Sequence, residues 1–308
     1  HMRILSSERL RKGIRKGGPA ASVASIRKGR KGDPRREGLN RGLETTIWPL
    51  AGPWMEGWNA PAYGEDDTSR AGRRVCARCL RPAAQDCLCS ALPPDLLDTR
   101  GCVVVLQHPH EARRTLASVP LLAASLRKLR VVRSRGFKPG RDALLDAVLA
   151  AARRETDPLP LFLLWPAEAV DVAEAAKRLA TSTASVALSA SDDTLFRCAY
   201  VLLVLDGTWT QCTEMARPLL AELCPPAVVV HLSAWTNAPD CLLRSEPAPG
   251  CVVTAEAVAR ALEALEARAT GDADAAEALR EQLLKPLRML VCLQRRHDAL
   301  GKGVKERR

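Results

Sequence analysis

Four short apolar runs, each cut off by a polar or turn-forming residue, set the plan of this chain: Cys102–Leu106, Leu161–Trp165, Val201–Leu205 and Ala227–Leu232. Unbroken apolarity over five or six residues predicts strands covered on both faces, as in a parallel sheet. Between the runs the period changes to that of helices. Leu116, Val119, Pro120 and Leu122 predict a helix over Thr115–Leu126, and a second is predicted over Ala167–Ala180. A third opens at Thr208 and is closed by Pro218. Val258, Leu262 and Leu265 keep the i, i+4, i+7 spacing of a helix that starts near Thr254 and ends at Gly271. A long final helix is expected from Asp272 to His297. Strands alternate with helices, which predicts an α/β fold with a mainly parallel sheet flanked by helices.

The third run ends in a carboxylate, and the turn after it is short: Asp206-Gly207-Thr208-Trp209. Gly207 permits a sharp turn, and Thr208 with Gln211 has the spacing of a capping box. Asp206 is thereby expected at the carboxyl end of a parallel strand, beside a helix start, where open α/β sheets bind ligands. The same residues also suit a plainer arrangement, in which Asp206 only caps the helix and Trp209 fills the core.

Charge redraws the boundaries. The chain of 308 residues has a net charge of +11, yet residues 1–36 hold 12 Lys/Arg against Glu8 and Asp33. That leaves 34 basic and 33 acidic residues elsewhere, so the basic character belongs to an arm. Residues 1–73, rich in Arg, Lys, Gly and Pro without sustained periodicity, read as a largely disordered arm. Its composition suits nuclear import, phosphate contact or an organellar transit peptide, and the protein is expected in the nucleus, the cytoplasm or both. Residues 298–308 form a second basic tail. No apolar run has the length of a membrane span, so no membrane partner is expected.

Within the chain's 11 cysteines, Cys76, Cys79, Cys87 and Cys89 stand as C-x-x-C followed by C-x-C. Four thiols on two tight turns match a closed tetrahedral site, so residues 74–99 are predicted to hold one structural zinc. The order of motifs excludes a zinc deaminase. There H-x-E precedes P-C-x-x-C, whereas here the cysteines come first and His108-Pro-His-Glu111 has the wrong spacing. Residues 112–141 then carry nine Arg/Lys and no acid, against a body near neutrality, which predicts a phosphate-binding surface. Arg113, Arg114, Arg127, Lys128, Arg133 and Arg135 are its candidate RNA-binding residues, together with His108 and Glu111.

The order of these elements resembles that of the DTW-domain family of tRNA-uridine aminocarboxypropyltransferases. The cysteine cluster leads to His108-Pro-x-Glu111, a strand ending in Trp165-Pro166, Asp206-x-Thr208-Trp209, Arg244 and Thr254-x-Glu256. One departure is Val253-Thr-Ala-Glu256, where the family usually has Ser-Thr-Leu-Glu. The resemblance implies a catalytic domain over 100–297, akin to the SPOUT methyltransferases, with a C-terminal trefoil knot that grips S-adenosylmethionine. It implies transfer of the 3-amino-3-carboxypropyl group to N3 of a tRNA uridine, releasing methylthioadenosine. Asp206, Thr208 and Trp209 are then the catalytic candidates; Trp165, Pro166, Asp206, Gly207, Arg244, Thr254 and Glu256 are the cofactor candidates. The alternatives are a SPOUT-like RNA methyltransferase and a non-catalytic zinc RNA-binding protein.

Overall fold

In the computed structural model, which describes residues 45–46, 75–79, 81–83, 85–114, 116–165, 169–179, 186–188, 196–232 and 252–299, all four apolar runs become strands of one sheet. In chain order the elements begin with β1 (Thr45–Thr46), β2 (Cys102–Gln107), α1 (Val119–Ala123), β3 (Leu129–Arg133) and α2 (Ala143–Ala152). Next are β4 (Leu161–Leu164), β5 (Val170–Asp171), α3 (Val172–Ala176), β6 (Val186–Leu188) and β7 (Phe196–Cys198). The chain then forms β8 (Val201–Asp206), α4 (Trp209–Leu223), β9 (Val228–His231), α5 (Thr254–Thr270) and α6 (Ala273–Ala299). The basic arm apart from β1, the tail beyond 299, Pro166 and Arg244 lie outside the described residues.

The sheet runs β1-β3-β2-β8-β4-β9-β5; every pairing is parallel except that of β1 with β3. β6 and β7 form a separate antiparallel pair. β8 sits at the middle, and each of its six residues is buried. Burial on both faces explains why the strands are apolar throughout. Val103, Val105, Phe162, Leu202 and Val204 pack toward α1, α3, α5 and α6. Val104, Leu106, Leu161, Leu163, Leu203 and Leu205 pack toward α2 and α4. Helices therefore cover both faces of a mainly parallel sheet.

Several predicted elements have different limits. Of the helix expected over Thr115–Leu126, whose first residue lies outside the described ones, Val119–Ala123 form α1, and Leu126 instead bridges Leu97. Within the helix expected over Ala167–Ala180, whose ends lie outside the described residues, Val170–Asp171 pair with β9 as β5, and Asp171 then caps α3 by accepting from the Ala173 amide at 2.8 Å. Pro218 does not close α4, which continues to Leu223. An internal proline forfeits one backbone hydrogen bond, and the buried Met215, Ala216, Leu219 and Leu223 hold the helix together through it. β3 was hidden in the basic segment by its charges. Arg130 is 1% exposed there, donates to the Leu129 carbonyl at 2.8 Å, and has its pKa lowered to about 10 by burial. It is a core cation, not part of a phosphate-binding surface.

The amino ends of the strands are tied to α5 by one carboxylate. Glu266 accepts from the amides of Arg100 at 2.9 Å and Gly101 at 3.0 Å, and from the Tyr200 hydroxyl at 2.5 Å. The cysteine-rich element shares the main core, since Cys79, Leu88 and Leu92 pack with α5 and α6 residues. His297 on α6 also meets Asp86 at 2.7 Å.

Candidate active site and metal centre

The polar ends of the apolar strands meet at the carboxyl edge of the sheet. Register aligns Arg133 of β3 with Gln107 of β2, and Gln107 with Asp206 of β8. Asp206 is 4% exposed. One carboxylate oxygen accepts from Gln107 Nε2 at 2.8 Å, the other from Thr254 Oγ1 at 2.6 Å. The carboxylate thus links two strands to the first turn of α5. It lies near the starts of both α4 and α5, where unpaired amides make the surroundings favourable to negative charge.

Asp206 is not the cap of α4. Thr208 is: its Oγ1 accepts from the Gln211 amide at 3.4 Å, while Gln211 Oε1 accepts from the Thr208 amide at 2.9 Å. This frees Asp206 from the plainer role that its sequence position also allowed. It also makes Thr208 a structural support of the turn. Gly207 stands in a close approach, since a Cβ there would lie 3.3 Å from the His108 Cβ and 3.2 Å from Gln211, tighter than most side-chain contacts.

Two tryptophans stand near the end of β8, Trp209 three residues beyond Asp206 and Trp165 just after Leu164, which pairs with Val204. Trp165 follows β4, with its amide on the Val230 carbonyl at 2.9 Å, and Trp209 opens α4. Their ring centroids are 6.1 Å apart with planes inclined at 52°. Trp209 is 44% exposed, unusual for so large an apolar ring and suited to stacking on a ligand.

His108 and Glu111 stand on the other side. The His108 amide donates to the Asp206 carbonyl at 2.8 Å, and Glu111 pairs with Arg114 at 3.0 Å. The Cys212 thiol on the first turn of α4 is pushed up to about 12 by burial and, after it, by the charges of Asp206 and Glu111. Arg135 is close enough to His108 to disfavour its protonation.

The structure therefore brings together Asp206, Gly207, Trp209, Trp165, Thr254, His108 and Glu111, with Arg133, Arg135, Arg113 and Arg114 along one side. It does not bring Arg127 and Lys128 there. They precede β3 at the amino edge, where Lys128 reaches the Thr99 carbonyl at 2.5 Å and Asp98 at 3.2 Å. Glu256 is fully buried and paired with Arg260 at 2.8 Å, one turn further along α5. Sequence reasoning missed Gln107, whose signal was an amide closing an otherwise apolar strand. It also missed Ser118, whose hydroxyl accepts from the Ala255 amide at 3.2 Å and supplies α5 with a distant cap.

A second centre lies in the cysteine-rich element. The four Sγ atoms of Cys76, Cys79, Cys87 and Cys89 all lie within 4.8 Å of one another, with Cys76–Cys89 at 3.4 Å and Cys79–Cys87 at 3.7 Å. Thiolates about 2.3 Å from a tetrahedral zinc stand roughly 3.8 Å apart, so the cluster is sized for that ion. The Cys79 amide, ahead of burial and other hydrogen bonds, governs the Cys76 thiol, whose pKa falls to about 6.

The DTW domain family matches residues 73–295, from just before the cysteine cluster to the last turns of α6. The chain belongs to the DTW-domain family. Arabidopsis thaliana tRNA-uridine aminocarboxypropyltransferase A is 34% identical over 204 residues, 63% of this chain and 73% of that protein. Macaca fascicularis tRNA-uridine aminocarboxypropyltransferase 2 is 30% identical over 230 residues, 74% of this chain and 65% of that protein. The Drosophila melanogaster protein of the latter name is 28% identical over 238 residues, covering 76% and 80%. No solved structure matches the chain. Among the described residues of this DTW protein, no helix is long and apolar enough to cross a membrane.

Proposed function

We propose that this protein transfers the 3-amino-3-carboxypropyl group of S-adenosylmethionine to N3 of a uridine in tRNA, releasing methylthioadenosine. The observation that carries the reading is Asp206: a carboxylate oriented by Gln107 and Thr254 at the carboxyl edge of the sheet, the edge at which Trp165 and Trp209 also stand. The residues fit the donor substrate. Trp165 and Trp209 offer faces to a planar adenine or a sulfonium cation, and Asp206 offers the opposite charge. When bound, S-adenosylmethionine supplies an electrophilic γ-carbon beside its sulfonium. The chain's part is to orient the uridine. Asp206 accepts or directs the N3 proton, with its two donors keeping the carboxylate in place. Because N3 lies on the Watson–Crick edge, the base must be unpaired or flipped, and the exposed face of Trp209 is available to stack on it.

The finer fold assignment, a SPOUT-like domain with a C-terminal knot, belongs to the same proposal. It is supported by the return of the chain: α5 begins at Asp206 of β8, although β9 before it lies beyond β4 in the sheet. Nucleoside mass spectrometry of tRNA incubated with protein and S-adenosylmethionine tests the function. An aminocarboxypropyl adduct on uridine is expected; a methyl adduct, or binding without any adduct, overturns it.

The basic side of the mouth is the proposed tRNA approach. Removing charge at Arg113 and Arg135 together should weaken tRNA binding and reduce its salt slope by about one for each phosphate no longer neutralised. Arg127→Ala, at the other edge, should leave both unchanged. Equal effects of the two changes in a salt titration would contradict this placement.

The four cysteines are proposed to bind one structural zinc, away from the chemistry. Metal analysis should find one zinc per chain. Because Cys79 is packed in the main core, stripping the metal should lower the melting temperature by about 10 °C or more. Far less than one zinc, or an unchanged melting curve after chelation, would refute it.

A further inference from the structure

His108 was expected only as an RNA-binding residue. Its geometry assigns it a more specific part. Its Nδ1 accepts from the His110 backbone amide at 3.2 Å. A backbone amide can only donate, so Nδ1 carries no proton and the ring proton sits on Nε2. The ring is 6% exposed and stands edge-to-face with His110, their centroids 4.9 Å apart. Its own backbone amide is bonded to the Asp206 carbonyl, and the missing side chain of Gly207 leaves it room against the turn. His108 is therefore a buried imidazole in one tautomer, fixed to the segment that carries Asp206.

We propose that His108 donates its Nε2–H to a carbonyl oxygen of the uracil being modified, stabilising the negative charge that develops as N3 loses its proton. The proposal rests on the uridine reading above. The proton on N3 leaves to a carboxylate or to water, and its charge spreads over N3 and the two flanking carbonyl oxygens. The N3 electron pair then forms the bond to the γ-carbon, and the carbon–sulfur pair stays on sulfur, leaving a neutral thioether. His108 gains and loses no proton in this sequence. A fixed neutral donor aimed at developing charge is an efficient stabiliser in a site shielded from water. An imidazolium would be worse, because it could return a proton to the uracil anion and quench the nucleophile.

The surroundings favour the neutral ring. Burial, His110 and Arg135 all disfavour protonation, in that order; Glu214 on α4 and Glu111 act the other way but more weakly. Asp206 faces the same turn, with its oxygens already engaged by Gln107 and Thr254. Protonating Nδ1 would also set two donors against each other at the His110 amide.

The test uses the full-length protein, saturating S-adenosylmethionine, and tRNA transcripts made with uridine or 5-fluorouridine. Fluorine makes N3 more acidic, so the anion needs less help. His108→Asn places its amide near the former Nδ1, whereas His108→Gln can bring an N–H close to the former Nε2. Single-turnover rates are expected to fall about a hundredfold in His108→Asn and about tenfold less in His108→Gln. The His108→Asn deficit should shrink at least tenfold on 5-fluorouridine tRNA. Equal rates for the two variants, a deficit identical on both transcripts, or weaker tRNA binding with normal turnover at saturation would each overturn the proposal. Should neither variant fold, His108→Phe carries the same transcript comparison, with thermal melting reporting its fold. If wild-type protein gives no adduct on either transcript, the uridine reading itself has failed, which is a distinguishable result.

Discussion

Asp206→Asn is expected to lower aminocarboxypropyl transfer by about a hundredfold or more, the usual effect of losing a general base, while the protein stays folded. The substitution preserves size and planarity but replaces one acceptor oxygen with a donor amide. The Asp206 oxygens accept from Gln107 Nε2 at 2.8 Å and from Thr254 Oγ1 at 2.6 Å. The hydroxyl of Thr254 can rotate and accept, or the Gln107 amide can turn its oxygen toward the new N–H. The cost in stability should therefore be about 1–2 kcal/mol, a lost charge-assisted bond and not an orphaned one. Helix α4 should not fray, because Thr208 and Gln211 cap it without Asp206. Transfer assays paired with thermal melting decide the matter. Near-normal turnover by a folded, cofactor-binding Asn variant would remove Asp206 from the mechanism.

Gly101→Ala should have the largest effect on stability, and the effect arises at the opposite edge of the sheet. A Cβ at Gly101 would come closer than 3.0 Å to three atoms of the Tyr200 ring. That ring is fully buried, and its hydroxyl is tied to Glu266, which also holds the Gly101 amide. Neither the ring nor the backbone can yield without breaking bonds to a buried carboxylate. A loss of about 3 kcal/mol or more is expected, at the upper end of overpacking. Because the strain resides in the ring, Gly101→Ala combined with Tyr200→Leu should be less destabilised than the two separate losses together. Denaturant unfolding of the four proteins provides the cycle. Additive losses would show that the strain does not lie between these residues. Transfer per folded molecule should be normal, since the site lies at the other edge.

Local pattern was a good guide where one physical demand controlled a segment. The apolar runs of β2, β4 and β8 are legible because burial on both faces excludes polar residues. The Thr208–Gln211 cap and the Gly271 helix end are legible because backbone groups there need particular side chains or a left-handed residue. Pattern was misleading where two demands competed. Leu129–Arg133 has the branched residues of a strand, yet Arg130 and Arg133 made it read as a charged surface. Pro218 reads as a helix stop, but tertiary packing of the surrounding apolar side chains outweighs one missing hydrogen bond.

The sequence by itself determined the kinds of groups available and their order: four clustered thiols, a His-Pro turn, a carboxylate closing a buried strand, and a threonine opening a late helix. These follow from short-range rules, in which a few neighbouring residues suffice. Only the tertiary structure decided which groups meet. Gln107, Asp206 and Thr254 are 99 and 48 residues apart in their bonded pairs, and Ser118 reaches the Ala255 amide across 137. No local pattern specifies such pairs, because they depend on strand order and on where a returning helix begins. The same packing divided a continuous basic segment, placing Arg133 and Arg135 near the site, Arg127 and Lys128 at the far edge, and Arg130 in the core. A parallel strand separates its two ends by its own length, so charges adjacent in sequence end up serving opposite edges of the sheet.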